Sequence, residues 1–177
     1  MSMRYLTQGE KENSRRLYEC CFPEDSQKFV DYYYQEKCRE NEIAVIEENG
    51  KIISMVHANP FTVSCCGTQA EVHYIVAVAT DPEYRRRGYM RQLMQQVLRD
   101  CRNRGEVFSF LMPADPAYYE PLGYRYWNNQ YVWEIPKEQE LLLKGFCQNP
   151  EYQSDADPKA LAQMADRILA DQFDLYI

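Results

Sequence analysis

Residues 68–80 read TQAEVHYIVAVAT, and the second half of that run is almost unbroken Ile, Val and Ala. A strand so apolar is buried on both faces and therefore stands inside a sheet. After the turn DPEYRRRG comes YMRQLMQQVLRDCRNRG, in which Met90, Leu93, Met94, Val97, Leu98 and Cys101 recur at helical spacing. Gly105 is placed to end that helix, and EVFSFLMPA then supplies a second buried strand. A strand, a crossover helix and a strand at this separation make a parallel pair. The chain is thus predicted to be α/β.

The flanking segments add antiparallel strands and more helix. MRYLT is a short strand candidate, and QGEKENSRRLYECCF and EDSQKFVDYYYQEKC read as two helices separated by Pro23. Leu17, Cys20 and Cys21 form the expected apolar side of the first. Ile43–Ile46 and Ile52–His57 flank Asn49-Gly50, a strong hairpin signal, with Pro60 expected to end the return strand or kink it. Downstream, PAYYEPLG reads as a short helix or turn and YRYWNNQYVWEI as a hairpin. The composition changes after Pro136. Residues 1–136 are expected to form one domain, and 137–177 a polar linker and an amphipathic helix over 158–177. That helix carries Leu161, Met164, Ile168, Leu169 and Phe173 on one side, a stripe that needs a partner. The helix is expected to pack on a further downstream domain, with self-association of this chain as the consequence; folding back on the core or docking another copy are the alternatives.

Charge and cysteine usage narrow the function classes. The 27 acidic residues outnumber the 20 basic ones, for a net charge of −7, which argues against nucleic acid as the main ligand. The seven cysteines show no CxxC spacing, so no metal site is expected, and reduced thiols in a cytoplasmic protein are the simplest reading. The sequence shows no apolar run of membrane-spanning length and no signal peptide.

Against that acidic background, Arg85, Arg86 and Arg87 stand together at the start of a helix. Cations there oppose the helix dipole, each at a cost of about 0.3–1 kcal/mol when exposed. A helix start also leaves amide N–H groups without partners, and Gly88 lets an anion approach the backbone closely. Arginine forks suit phosphate oxygens. A bound diphosphate would resolve the conflict between charge and dipole and is the expected guest. The turn lacks both GxxxxGKS and GxGxxG, so neither the nucleotide P-loop nor the dinucleotide fingerprint applies.

The stretch VATDPEYRRRGYMRQLM resembles motif A of the GNAT superfamily of acyl-CoA-dependent N-acyltransferases: Arg or Gln, two residues, Gly, one residue, then Gly or Ala. Arg85 to Tyr89 match its first five positions, and Met90 departs at the sixth, where the family has a small residue. The order of elements along residues 3–135 is similar to the family's. RRRGYMRQLM and YYEPLGYRYW are similar, more narrowly, to the first domain of the enhanced-intracellular-survival type of GNAT protein. The resemblance implies a GNAT-like mixed central sheet flanked by helices, with a C-terminal helical extension. It implies acetyl-CoA as cofactor, its pyrophosphate on the amides of Arg86 to Met90 and its pantetheine along Val78, Ala79 and Thr80. The acceptor would be a primary amine of a small molecule or peptide.

The same resemblance points to Tyr119 as the acid that protonates the departing thiolate, with Tyr118 and Tyr124 as neighbouring alternatives among fifteen tyrosines. For the base, His73 has a suitable intrinsic pKa and shares a strand face with Glu71. In the resembling group the base is instead the carboxylate ending the full-length chain, a terminus not expected at Ile177. His57 reads as structural. Two rival readings are a non-catalytic acyl-CoA-binding module and a protein-interaction domain in which the motif is a relic.

Overall fold

The computed structural model describes residues 2–65, 67–127, 157–172 and 175–176. Asn49 and Gly50, with φ of 52° and 75°, make the two-residue turn that their sequence predicts. The turn joins β2 (Glu42–Glu48) to β3 (Lys51–Cys65), and Gly67 turns β3 into β4 (Thr68–Thr80). β1 (Ser2–Tyr5) pairs antiparallel with β2, so β1 to β4 form an antiparallel meander. β5 (Ser109–Phe110) adds to β4 in parallel, and β6 (Leu175–Tyr176) pairs with the tip of β3 at Ser64 and Cys65. The sheet is mixed, in the order β1-β2-β3-β4-β5.

Both faces of this sheet are covered, which is why Ile43–Ile46 of β2 and the second half of β4 are apolar. α1 (Arg15–Cys21) and α2 (Gln27–Gln35) contribute Leu17, Tyr18, Val30, Tyr33 and Tyr34 over Ile43, Val45 and Met55. α3 (Tyr89–Asn103) contributes Leu93, Met94, Val97 and Cys101 over the alternating partners Ala44, Ile46 and Val56. α1 is preceded by a 3-10 segment at Gln8–Ser14, and its apolar side differs from the expected one. Leu17 and Tyr18 are buried, Cys21 is half-buried and Cys20 is exposed. Ser26 caps α2 through the Phe29 amide.

Pro60 does not interrupt β3. β2 stops opposite Ala58, so from Asn59 to Val63 β3 is paired with β4 alone. A proline is tolerated where its missing N–H faces an open side. EVFSFLMPA shortens to the two residues of β5, and PAYYEPLG becomes two 3-10 turns, Pro116–Tyr118 and Glu120–Leu122. The predicted hairpin at 124–135 falls largely outside the described residues.

The chain divides into two compact units, residues 1–124 with 174–177, and residues 125–173. Within the second, α4 (Pro158–Gln172) exposes Leu161, Met164 and Ile168. Leu175–Tyr176, expected to belong to this helix, instead pair with β3. No helix among the described residues is long and apolar enough to cross a membrane. Cys20, Cys21, Cys38, Cys65 and Cys101 are free thiols.

His57 is structural, as its sequence context suggests. It is fully buried among Tyr18, Tyr33 and Tyr34, with Nδ1 3.0 Å from the Tyr33 hydroxyl and Nε2 without a partner. Burial, reinforced by Lys11, pushes its pKa down to about 3. The imidazole is therefore neutral when folded and takes a proton near pH 6.5 only when unfolded. Stability from this group is complete above that pH and is lost as pH falls toward 3. Wild-type protein should lose about 1 kcal/mol of unfolding free energy between pH 6 and 5. A His57→Gln variant should lack that slope in urea titrations at the two pH values.

Candidate functional site

β4 ends at Thr80, and Asp81 turns the chain. Its buried carboxylate accepts the Glu83 amide at 3.1 Å and pairs with the Lys51 ammonium at 2.6 Å, which holds it below the usual carboxylate range. Asp81 was not singled out from the sequence, although Asp-Pro after a strand is a turn signal. The arginines that follow differ in their commitments. Arg85 Nε donates to the Thr80 carbonyl at 3.1 Å. Arg87 donates to the Glu83 carbonyl at 3.1 Å and lies 5.1 Å from the Tyr84 ring centroid. Arg86 is exposed, has φ of 63°, and makes no hydrogen bond or ion pair among the described residues.

Gly88 opens α3 in the left-handed region, at φ 81° and ψ 7°. No side chain caps the helix there, and its first turn holds no acid. The first helical hydrogen bond runs from the Gln92 amide to the Gly88 carbonyl at 3.1 Å. The amides of Tyr89, Met90 and Arg91 therefore have no acceptor within the helix. Nothing lies within 4 Å of where a Gly88 Cβ would stand. An uncapped helix start beside open space, with an unengaged guanidinium next to it, fits an anion.

The strand leading into this turn has one open edge. β5 pairs with β4 only at His73 with Ser109 and Tyr74 with Phe110. Beyond that point, among the described residues, Ile75 to Thr80 have β3 on one side and no strand on the other. A bulge interrupts the β3–β4 register here, and Ala77 takes φ of 49°. Val78, Ala79 and Thr80 follow the bulge. Thr80 is fixed by its hydroxyl, 2.8 Å from Ser54 Oγ.

Tyr119 sits between the two 3-10 turns and is buried on the α3 side of the sheet, where the Glu120–Leu122 turn packs against α3. The first turn is set by Asp115, whose carboxylate accepts the Ala117 amide at 2.9 Å. Tyr89 and Met90, from the start of α3, pack against the same cluster. Burial raises the Tyr119 pKa, and nearby Tyr74 adds to the effect. Its phenol makes no hydrogen bond among the described residues. The alternatives are placed differently. Tyr118 is 62% exposed, and the Tyr124 hydroxyl is engaged by Ser109 Oγ at 2.7 Å, its pKa pushed up to about 12 by burial.

His73 is not brought to the arginine turn. It precedes Thr80 by seven residues on β4, about 23 Å along an extended strand. Its Nδ1 lies 2.9 Å from Glu106 Oε2, just past the far end of α3. Glu71, on the same strand face, is exposed and accepts the Thr62 hydroxyl at 2.6 Å.

Comparison with known proteins agrees with this architecture. The profile of the Acetyltransferase (GNAT) domain family matches residues 2–127. Among solved structures, the chain is similar to a conserved protein of unknown function from Enterococcus faecalis V583, described as a probable N-acyltransferase (22% identity, TM-score 0.63). That match covers 70% of this chain and 32% of the other, so the chain spans about a third of that protein's length. A predicted acetyltransferase from Clostridium acetobutylicum, solved with acetyl-CoA, matches at 13% identity and TM-score 0.64, over 75% of this chain and 95% of its own. Glucosamine-6-phosphate N-acetyltransferase from Arabidopsis thaliana matches at 17% identity and TM-score 0.58, over 76% and 98%. No curated protein matches the chain. At these identities the structural likeness establishes the fold, and the profile match over most of the chain establishes the family. The chain belongs to the GNAT acetyltransferase family.

Proposed function

We propose that this domain transfers an acetyl group from acetyl-CoA to a primary amine of a small molecule or peptide in the cytoplasm, as a member of the enhanced-intracellular-survival type. The observation that carries this reading is the uncapped start of α3 at Gly88, with Arg86 beside it, at the end of a strand with an open edge. The Clostridium acetobutylicum relative holds acetyl-CoA on the same fold, and the Enterococcus faecalis relative carries this fold in about a third of a longer chain.

In this reading the amides from Arg86 to Met90 receive the pyrophosphate, and Arg86 supplies the charge that Arg85 and Arg87 have committed elsewhere. The open edge along Val78, Ala79 and Thr80 receives the amides of pantetheine. Acetyl-CoA, when bound, supplies the activated acyl group. The amine nitrogen forms a bond to the acyl carbon and loses its proton to solvent, the carbon–sulfur bond breaks, and Tyr119 gives its phenolic proton to the departing thiolate and regains one from solvent. An ordinary phenol, with a pKa of about 10, matches a thiolate of comparable basicity, and burial, which raises the Tyr119 pKa, keeps the proton on it at neutral pH. His73 lies at the far end of α3 from the arginine turn, with Nδ1 against Glu106.

Turnover of acetyl-CoA against a panel of primary amines tests the activity. Cofactor binding without turnover on any amine would favour the non-catalytic acyl-CoA-binding reading. The double variant Arg86→Glu, Arg87→Glu should weaken CoA binding about a hundredfold, roughly 3 kcal/mol, by calorimetric titration. Both side chains are exposed, so the melting temperature should hold. Unchanged affinity would remove the phosphate site from this turn.

A further inference from the structure

We propose that His73, Cys101 and Glu106 form a binding site for a divalent cation of the zinc type, separate from the arginine turn. The three side chains come from β4, from the last turn of α3 and from the segment beyond it, and one donor atom from each lies within 4.8 Å of the other two. Imidazole, thiolate and carboxylate are the donors that zinc takes. Sequence spacing conceals this set, since 27 positions separate the first two donors and no CxxC is present.

The helix end builds the site. Gly105, at φ 87°, lets the chain fold back, so that its own amide bonds the Arg102 carbonyl at 3.0 Å and the Glu106 amide bonds the Cys101 carbonyl at 3.1 Å. That closure brings the Glu106 carboxylate over the Cys101 side chain and against His73. Glu106 is held there with its side chain 7% exposed, and that of His73 is 14% exposed. A cavity of about 350 Å³, lined by Glu71, His73, Arg104 and Glu106 among others, opens onto the cluster. It provides both an entry path and room for a fourth, exchangeable ligand, as in three-ligand zinc sites.

Among the described residues, Arg104 is the cation at the cluster that a metal would have to face. Its Nε holds Glu106 Oε1 at 2.9 Å, and Nη1 lies 3.2 Å from Glu42 Oε2, which has no hydrogen bond and is buried. Two carboxylates thus offset the guanidinium already. Nη2, 3.4 Å from Cys101 Sγ, is placed to donate to a thiolate. Arg104 therefore acts as an outer support that orients the carboxylate and stabilises the thiolate form. On binding, the cation takes the Nδ1 lone pair, one Glu106 oxygen and the Cys101 sulfur. The ring proton resides on Nε2, and the thiol proton leaves to solvent.

Titration of the full chain with Co²⁺ tests the site, because a cobalt–thiolate bond gives a near-ultraviolet charge-transfer band. The expected result is a band saturating at one equivalent, abolished by added Zn²⁺ and absent from Cys101→Ser. His73→Ala, which leaves the buried thiol in place, should retain its circular dichroism and weaken binding at least tenfold. No band at one equivalent would overturn the proposal. So would a band of unchanged affinity in either folded variant, since the thiolate would then belong to another cysteine and the cluster would serve only to tie α3 to β4. CoA affinity of both variants should match wild type.

Discussion

Gly88→Val is expected to lose CoA binding by at least a hundredfold while the circular dichroism stays that of the wild type. Gly88 starts α3 at φ 81°, where a side chain costs roughly 1–2 kcal/mol and a β-branched one more. The space beside it is open, so the fold can accept the new atoms without displacing a neighbour. What the isopropyl group occupies is the approach to the unpaired amides of Tyr89, Met90 and Arg91. Strain also draws the turn toward negative φ and re-aims those amides. Gly88→Ala should fall between valine and wild type, since it adds the Cβ alone. Calorimetric titration with CoA checks all three. Normal binding by the valine variant would leave Gly88 as a helix-start residue with no ligand.

Tyr119→Phe should reduce kcat by roughly 10²–10⁴ if the phenol is the acid. The ring stays, so its packing with Tyr124 at 6.0 Å and against α3 is kept. Only the hydroxyl is removed, and no described residue depends on it for a hydrogen bond. CoA affinity and thermal stability should therefore be near wild type. Tyr118→Phe and Tyr124→Phe are the controls, the first exposed and the second expected to lose its bond to Ser109. A wild-type rate for Tyr119→Phe would move the acid elsewhere.

How much of this was legible beforehand follows from where the determining contacts lie. α3 could be read because its burial is written at one spacing in a continuous segment, and Asn49-Gly50 because a two-residue turn is decided by those two residues. The βα turn could be read because glycine, arginines and helix start are adjacent. β3 could not be followed through Pro60, since tolerance of that proline depends on where β2 stops. The short β5 was equally hidden, because strand length depends on how far a neighbour stays within reach. Sequence made Arg85, Arg86 and Arg87 equivalent, and only the folded turn distinguishes the two that hold carbonyls from the one that does not. His73 stands out in the sequence for its intrinsic chemistry and its strand face. Its partner Glu106 lies 33 positions away, and sequence spacing does not reveal that meeting.

The two-residue contact between β4 and β5 leaves a row of backbone donors and acceptors along Ile75 to Thr80 unmatched by any described strand. Such a row is a template for whatever extended chain arrives first, including another copy of an unfolded protein. A molecule that lays its own amides along that row fills the template. Were pantetheine to lie along that edge as proposed, binding of cofactor and protection from runaway strand-to-strand association would be one and the same event.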